Sequence, residues 1–137
     1  MMMDVRFNTL NEHVHKFIVT ESTFSHSGEP KKLNFNINNY PKFKDKIIYV
    51  IIDKEPNDLI VADNRPLTPP EKRSNSLKRI EQSYDYMGKS LDLALDNDLI
   101  ILSDNDEIPN LDSKKFKNSN KDIFIFKQLF FYYKFNL

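Results

Sequence analysis

Apolar residues recur along the chain at two spacings, and each spacing predicts a different kind of element. Between residues 4 and 15, Val5, Leu10 and Val14 fall on or near one helical stripe with polar side chains opposite, which predicts a short amphipathic helix. A second helical pattern runs from about residue 74 to residue 94. Its apolar positions are Leu77, Ile80, Tyr84, Met87, Leu91 and Ala94.

Short continuous apolar runs predict three buried strands, at residues 17–19, 46–53 and 99–102. The aromatic segment at residues 121–137 is too apolar for a solvated helix and predicts one or two more. Residues 54–72 carry four prolines and scattered charges, which predicts a loop that is long for a compact domain. The order strand, loop, strand, helix, strand is typical of a single α/β domain with partly parallel strands.

Composition excludes several classes of function. The 20 basic side chains balance the 20 acidic ones, which argues against bulk nucleic acid or an anionic membrane as the main partner. Cysteine is absent, and two glycines cannot build a glycine-rich phosphate loop. The N-terminal residues lack the apolar core of an export signal, and no apolar run approaches the ~20 residues of a membrane span. We therefore expect a cytoplasmic protein without a membrane span.

Acidic residues follow the predicted strands, and they are the candidate chemistry of the chain. Glu21 and Asp53 close the first two strands, while Asp104 and Asp106 follow the third. In parallel sheets, ligands bind beyond the carboxyl ends of the strands. In extended backbone alternate side chains point the same way, so Asp104 and Asp106 are predicted to face one Mn²⁺ or Mg²⁺ ion. The alternative is that they are ordinary turn residues, for which Asp and Asn are favoured.

Four segments resemble a known family. SDNDEIP is similar to the Asp-x-Asp-Glu-Ile-Pro signature of glycosyltransferase family 17. HVHKFIVTESTFSHSGEPKKLNF resembles the family's strand ending in Val-Glu-Ser and the Thr-x-x-x-Gly-x-Pro-Lys-x-Leu element after it. KIIYVIID resembles the next strand, and FFYYKFNL resembles the aromatic segment that follows the acidic motif.

The resemblance implies a GT-A-like fold, with a mixed, mostly parallel sheet flanked by helices. It also implies inverting sugar transfer from a nucleotide-diphosphate donor, with UDP-GlcNAc expected, to a glycan acceptor. Asp104 and Asp106 would bind the metal and the donor diphosphate, and Glu21 would lie at the donor-side rim. Lys31 would contact phosphate or shape its loop. Glu107 is the one base candidate beside the metal.

The resemblance covers nearly all of residues 1–137 but only part of a family domain. Family members begin with a further strand and continue beyond the aromatic segment, and their Glu-x-x-Gln-Arg element is only loosely echoed by Glu81 and Gln82. This predicts a single partial domain. The alternative function is a non-catalytic fragment or subunit of a split enzyme, acting as a donor-binding or interaction module. Such a piece would pair with a complementary chain or a second copy.

The remaining chemistry-bearing residues have ordinary explanations. His13 and His15 are expected to be surface residues, and His26 a polar loop residue, rather than metal ligands. The basic residues at the start of the second helix suggest either a diphosphate contact or, preferably, a solvated face. They are Lys72, Arg73, Lys78 and Arg79.

The acidic motif makes a specific structural prediction. Residues 99–103 should form a central strand buried on both faces, because four consecutive aliphatic residues need covering layers on both sides. Pro109 should end the pairing, and Asn110 should cap a short helix after it. Glu21 and Asp53 should end neighbouring strands on the same rim, with Glu21 facing the aspartate pair.

Overall fold

The structure is a computed structural model that describes residues 2–111 and 121–126. Two compact units are present. The terminal unit comprises the described parts of Met1–His15 and Leu99–Leu137, and the central unit comprises Lys16–Asp98. In chain order, the described residues form two helices, two strands and three 3₁₀ turns. They are α1 (Met2–Leu10), β1 (Phe17–Ser22), 3₁₀ turns at Ile37–Asn39 and Pro41–Lys46, β2 (Ile47–Ile52), α2 (Pro69–Gly88) and a 3₁₀ turn at Lys89–Leu93.

The sheet of the central unit confirms the first two predicted strands. β1 and β2 pair in parallel, in a register that runs from Phe17 opposite Ile47 to Ser22 opposite Ile52. Because the strands end together, Glu21 and Asp53 lie at the same edge of the sheet, as predicted. Within the described residues the fold is therefore α/β, with a two-stranded parallel sheet and helices.

The core of the central unit lies at the beginning of this sheet. Phe17 and Ile47 are buried, and the Phe17 ring meets the Phe43 ring edge-on at a centroid distance of 6.5 Å. Ile52 is buried at the other end of β2, whereas its neighbour Ile51 is exposed. Burying apolar area is the main favourable term in folding, so this small cluster anchors the sheet.

Helix α1 confirms the first helical prediction but not its apolar stripe. Phe7 and Leu10 are buried, while Val5 is exposed. The helix ends at Leu10, so Val14 lies outside it. Residues three apart share a helix face, which makes Phe7 and Leu10 the inward pair.

Helix α2 begins five residues earlier than predicted, within the predicted loop at residues 54–72. Pro69 and Pro70 occupy the first turn, where a missing N–H costs nothing because that group has no helical partner anyway. The Glu71 carboxylate, one residue after them, accepts hydrogen bonds from the backbone N–H and the hydroxyl of Thr68, the residue before Pro69, both at 2.8 Å. The prolines therefore start the helix rather than extend the loop.

The inner face of α2 is more polar than the predicted apolar stripe. Leu77 and Tyr84 are 47% and 49% exposed, whereas Asn75 is buried. The Asn75 side chain donates to the Ile60 carbonyl at 2.9 Å and accepts from the Ile60 N–H at 2.8 Å. The backbone groups of Ile60 face this side of the helix, and buried backbone groups require polar partners when water is excluded.

The predicted central strand at residues 99–103 is wrong in this structure. The segment has no strand conformation, and Leu99, Ile100 and Leu102 are 63%, 55% and 59% exposed. A strand needs a neighbour for its backbone N–H and C=O groups, and the described part of the terminal unit contains no strand. Residues 121–126 also contain no strand. The rest of the predicted aromatic strands and the helix predicted after Asn110 lie outside the described residues.

Among the residues described, no helix has the length and hydropathy needed to cross a membrane.

Candidate functional site

The acidic motif of the terminal unit forms a closed turn. The Glu107 N–H donates to the Asp104 carbonyl at 3.1 Å. In return, the Asp104 N–H donates to the Glu107 carboxylate at 3.0 Å. These reciprocal hydrogen bonds fix the backbone of residues 104–107, named the acidic turn below. Pro109, fully buried, follows it.

The carboxylates of Asp104 and Asp106 project from this turn into solvent. Both residues are exposed, and within the described part of the chain their side chains accept no hydrogen bond. Neither belongs to a ready cluster of three or more metal-ligating side chains, since the described residues contain none. The turn therefore presents two unengaged carboxylates rather than a finished metal cage.

Arg6 of α1 hydrogen-bonds the acidic turn, and no sequence pattern indicates this contact. Its Nη1 donates to the carbonyls of Asp104 and Glu107, each at 2.9 Å. Its Nη2 donates to the Ser103 hydroxyl at 2.7 Å. Burial lowers the pKa of Arg6, and the nearby charges of Glu107 and Asp106 oppose that effect. The cation is thus held against the backbone of the turn.

Glu107, the predicted base candidate, has a structural task in the turn. One of its carboxylate oxygens closes the turn on the Asp104 N–H, and its carbonyl accepts from Arg6. The side chain is exposed, so the second carboxylate oxygen stays accessible. Its role as a base stays a prediction.

In the central unit, the Glu21 carboxylate is extensively hydrogen-bonded. Its two oxygens accept four hydrogen bonds, from the Lys31 ammonium at 2.9 Å, the Asn34 N–H at 2.8 Å, the Phe35 N–H at 3.0 Å and the Tyr49 hydroxyl at 2.9 Å. The side chain is only 14% exposed. Glu21 therefore fastens the segment at residues 31–35 to the carboxyl end of the sheet.

The surroundings of Glu21 shift two pKa values. Burial alone would raise the pKa of the Glu21 carboxyl, but the hydrogen bonds from Asn34, Phe35, Lys31 and Tyr49 outweigh it and lower the pKa to about 2. Burial and the bond to Glu21 raise the pKa of Tyr49 to about 12. At neutral pH the pair is a carboxylate and a neutral phenol, the combination that gives strong, charge-assisted bonding.

The Tyr49 contact follows from the sheet register. Tyr49 lies opposite Val19, and Glu21 stands two residues further along the same strand as Val19. Alternate residues of a strand share a face, so the Tyr49 side chain leans towards Glu21. The Phe35 ring packs against Tyr49 at 4.9 Å.

A shallow cavity of about 420 Å³ opens at the carboxyl end of β1. It brings Glu21 and Lys31, both predicted donor-site residues, together with His26 and Arg79. The lining is completed by Thr20, Ser22, Phe24, Ser25 and Ser83. Lys31 is 34% exposed, so its ammonium is reachable from the cavity while it bonds Glu21.

Arg79 in this cavity corrects the prediction of a solvated basic face. Its Nε and Nη2 donate to the Glu55 carboxylate at 2.7 and 2.8 Å, and its Nη1 donates to the His26 carbonyl at 3.2 Å. The side chain is 12% exposed. Lys78 is likewise paired, with Asp58 at 2.9 Å. The paired acids, Glu55 and Asp58, lie in the loop before α2, which has no periodic pattern that would indicate these contacts.

The structure thus groups the predicted site residues into two sets. Asp104, Asp106 and Glu107 share the acidic turn of the terminal unit, while Glu21 and Lys31 share the cavity of the central unit. The prediction that Glu21 faces the aspartate pair joins residues of different units and stays a prediction. His13 and His15 are exposed, as expected.

Comparison with known proteins gives a consistent assignment. The family description "Glycosyltransferase family 17" matches residues 1–134. Beta-1,4-mannosyl-glycoprotein 4-beta-N-acetylglucosaminyltransferase from Homo sapiens is 31% identical over 123 residues, which cover 84% of this chain and 21% of the relative. The same-named proteins of Rattus norvegicus and Mus musculus are 31% and 30% identical, covering 84% of this chain and 20% of each relative.

The chain spans about a fifth of the length of the curated relatives it matches. No solved structure matches it. The family match extends over nearly the whole chain and includes both the acidic turn and the cavity at the end of β1. The chain therefore belongs to glycosyltransferase family 17.

Proposed function

We propose that this chain carries the donor-binding part of a metal-dependent, inverting glycosyltransferase with a GT-A-like fold. The observation that carries the proposal is the acidic turn, which leaves the carboxylates of Asp104 and Asp106 exposed and without hydrogen bonds to any residue that the structure describes. A turn with a purely structural task would use such side chains to bond its own backbone. Here the Glu107 carboxylate accepts the hydrogen bond from the backbone of the turn, and the two aspartate side chains remain available to a ligand.

The residues of the acidic turn suit Mn²⁺ or Mg²⁺. These ions prefer oxygen ligands, and Mg²⁺ usually keeps several waters and is held by one or two carboxylates plus substrate phosphates. That pattern fits a turn with two exposed carboxylates and, in the described part of the chain, no cluster of three metal-ligating side chains. In this arrangement Asp104 and Asp106 would hold the ion, and the ion would neutralise the charge that develops on a departing diphosphate.

The donor would be a nucleotide-diphosphate sugar, with UDP-GlcNAc as the first candidate. The relatives are named as N-acetylglucosaminyltransferases that act on a β-1,4-mannosyl-glycoprotein, which supports GlcNAc as the sugar and a glycan as the acceptor. The cavity at the carboxyl end of β1 lies where parallel sheets bind ligands. There the Lys31 ammonium would contact an anionic part of the donor, and Glu21 would hold Lys31 in place.

The chemical step would be a single displacement. The acceptor hydroxyl oxygen attacks the anomeric carbon, the bond from that carbon to the diphosphate oxygen breaks, and the sugar inverts its configuration. A carboxylate takes the hydroxyl proton as general base. Glu107 is proposed for this task through the carboxylate oxygen that the turn does not use.

Titration of UDP into the 137-residue chain tests the binding half of this proposal. We expect heat of binding with Mn²⁺ present and little without it, because the diphosphate and the two carboxylates repel one another unless a cation lies between them. Asp104→Ala and Asp106→Ala should each weaken Mn²⁺-dependent binding by at least about tenfold, which is 1.4 kcal/mol.

Asp96→Asn is the matched control for this titration, since Asp96 is an exposed acid outside the acidic turn. It should bind as the parent does. Equal binding by the parent chain and Asp104→Ala would exclude the metal assignment.

A second function is favoured by the exposed apolar residues before the acidic turn. Leu99, Ile100 and Leu102 expose more than half of their side-chain surface, which a non-catalytic donor-binding module could bury against a complementary chain or a second copy. Sedimentation velocity separates the two proposals. Concentration-dependent association that Ile100→Asp abolishes supports the module, and a monomer at all concentrations opposes it.

A further inference from the structure

Arg6 hydrogen-bonds both ends of the acidic turn and the residue before it. Its guanidinium donates three hydrogen bonds of 2.7 to 2.9 Å, to the carbonyls of Asp104 and Glu107 and to the Ser103 hydroxyl. All of these residues belong to the terminal unit. The contacts join positions 97 to 101 residues apart in sequence, so they are tertiary rather than local.

The position of Arg6 on α1 makes its guanidinium a fixed support. The next residue, Phe7, is fully buried, and Leu10 is 2% exposed. These two side chains anchor the helix. Arg6 is half-buried, and its guanidinium points from the helix towards the acidic turn. A planar guanidinium can serve several acceptors at once with fixed geometry, which a lysine ammonium on a flexible stem cannot reproduce.

The choice of acceptors is the informative feature. Arg6 bonds two backbone carbonyls and a hydroxyl, and within the described residues it donates no hydrogen bond to the carboxylates of Asp104 or Asp106. An arginine so close to three acids would ordinarily form an ion pair with one of them. Here the positive charge holds the backbone of the turn and leaves the aspartate oxygens to a ligand.

We propose that Arg6 is a positioning residue, which sets the acidic turn so that Asp104 and Asp106 can bind a divalent cation and a nucleoside diphosphate together. The inference rests on the proposed function above. Groups that orient metal ligands matter nearly as much as the ligands, and their loss typically costs about 10–100-fold in metal affinity. The guanidinium also places a positive charge near the site, which favours a diphosphate.

Binding of Mn²⁺ and UDP to Arg6 variants of the 137-residue chain tests this role. Arg6→Gln should weaken Mn²⁺-dependent UDP binding by about tenfold or more. Arg6→Lys, which keeps the charge and can serve one carbonyl at a time, should fall between Arg6→Gln and the parent. Free Mn²⁺ measured by electron paramagnetic resonance gives the same ranking without any turnover.

Two further measurements separate positioning from general stability. Amide hydrogen exchange should quicken at Asp104 and Glu107 in Arg6→Gln, because their N–H groups close the turn, while the amides of β1 stay protected. Arg73→Gln is the matched control, since Arg73 is an exposed arginine on α2, and it should leave binding and exchange unchanged.

The outcomes distinguish failure of the proposed function from failure of the role proposed for Arg6. A parent chain that fails to bind UDP with Mn²⁺ overturns the proposed function and the role of Arg6 with it. A parent chain that binds, together with Arg6→Gln that binds equally well, overturns the role of Arg6 alone. If Arg6→Gln does not fold, Ser103→Ala removes one of the three contacts instead. It should weaken binding by a smaller factor, and unchanged binding in Ser103→Ala and Arg6→Lys together would contradict the inference.

Discussion

Replacement of Glu21 by glutamine should lower the free energy of unfolding of the chain by about 2–3 kcal/mol at neutral pH. Glu21 accepts four hydrogen bonds and is 14% exposed. Glutamine keeps the shape but replaces one carboxylate oxygen with an N–H₂ group that faces donors, which leaves a buried donor unpaired at a cost of about 1–3 kcal/mol. Denaturant unfolding of the two proteins measures the difference.

The pH dependence of stability identifies the carboxylate as the cause. The pKa of Glu21 is lowered from its usual 4.5 to about 2, so the folded chain holds the ionised form more firmly than the unfolded chain does. The contribution of Glu21 is complete above about pH 4.5 and is lost as the pH falls towards 2. It amounts to about 3 kcal/mol before allowance for solvent screening.

Glu21→Gln should therefore lose part of its sensitivity to acid between pH 4.5 and 2. Glu29→Gln is the matched control, because Glu29 is an exposed glutamate of the neighbouring loop, and it should keep the parent's acid dependence. Parallel stability curves for Glu21→Gln and the parent across this range would contradict the role assigned to the carboxylate.

The hydrogen bonds of Glu21 within the chain alter the role that it can have in donor binding. The family resemblance implies a place for Glu21 at the donor-side rim, and the cavity at the end of β1 includes it. Its four acceptor positions are nonetheless taken by groups of the same chain. A donor would therefore meet Lys31 first, and Glu21 would act by holding Lys31 and the 31–35 segment in place.

Local sequence patterns were sufficient for the sheet of the central unit. β1 and β2 are continuous β-branched and apolar runs with an acid at or after the end, and they need no distant partner to be recognised. Their parallel pairing follows from the long connection between them, since antiparallel partners are usually joined by short turns. The edge that carries Glu21 and Asp53 was predictable for the same reason.

Contacts between distant residues were not predictable from one sequence. Arg6 lies about a hundred positions from the acidic turn, and nothing in its own helix distinguishes it from a solvated arginine. At residues 99–102 a local pattern was present, but it predicted a buried strand that the structure does not contain. An aliphatic run indicates a preference for burial, but the element it forms depends on which segments supply covering layers and strand partners.

The two glycines of the chain should respond to alanine in opposite directions. Gly28 has a φ of +91°, and a Cβ at this position would lie 2.4 Å from Nη2 of Arg79 and 2.9 Å from its Cζ. Alanine in the left-handed region costs about 1–2 kcal/mol. The Arg79 guanidinium cannot simply move aside, because it is 12% exposed and bonded through two nitrogens to Glu55.

Gly28→Ala should therefore lower the free energy of unfolding by about 2–3 kcal/mol, from backbone strain together with a disturbed Arg79–Glu55 pair. Gly88 ends α2 with φ −55° and ψ −41°, and a Cβ there meets no atom within 4 Å. Gly88→Ala should raise the free energy of unfolding by about 0.5–1 kcal/mol, since alanine is the better helix former. Thermal and denaturant unfolding of both variants measures the pair.

The same pair of variants also tests whether the cavity at the end of β1 matters for a ligand. The turn at Gly28 is closed by its N–H, which donates to the Ser25 carbonyl at 2.9 Å. Ser25 lines the cavity together with His26 and Arg79. Gly28→Ala should weaken Mn²⁺-dependent UDP binding in the fraction that remains folded, whereas Gly88→Ala should not. If Gly28→Ala proves as stable as the parent, the close packing of this loop on Arg79 is wrong. If it is destabilised but binds UDP normally, the cavity is not where the donor binds, and the acidic turn alone carries the nucleotide.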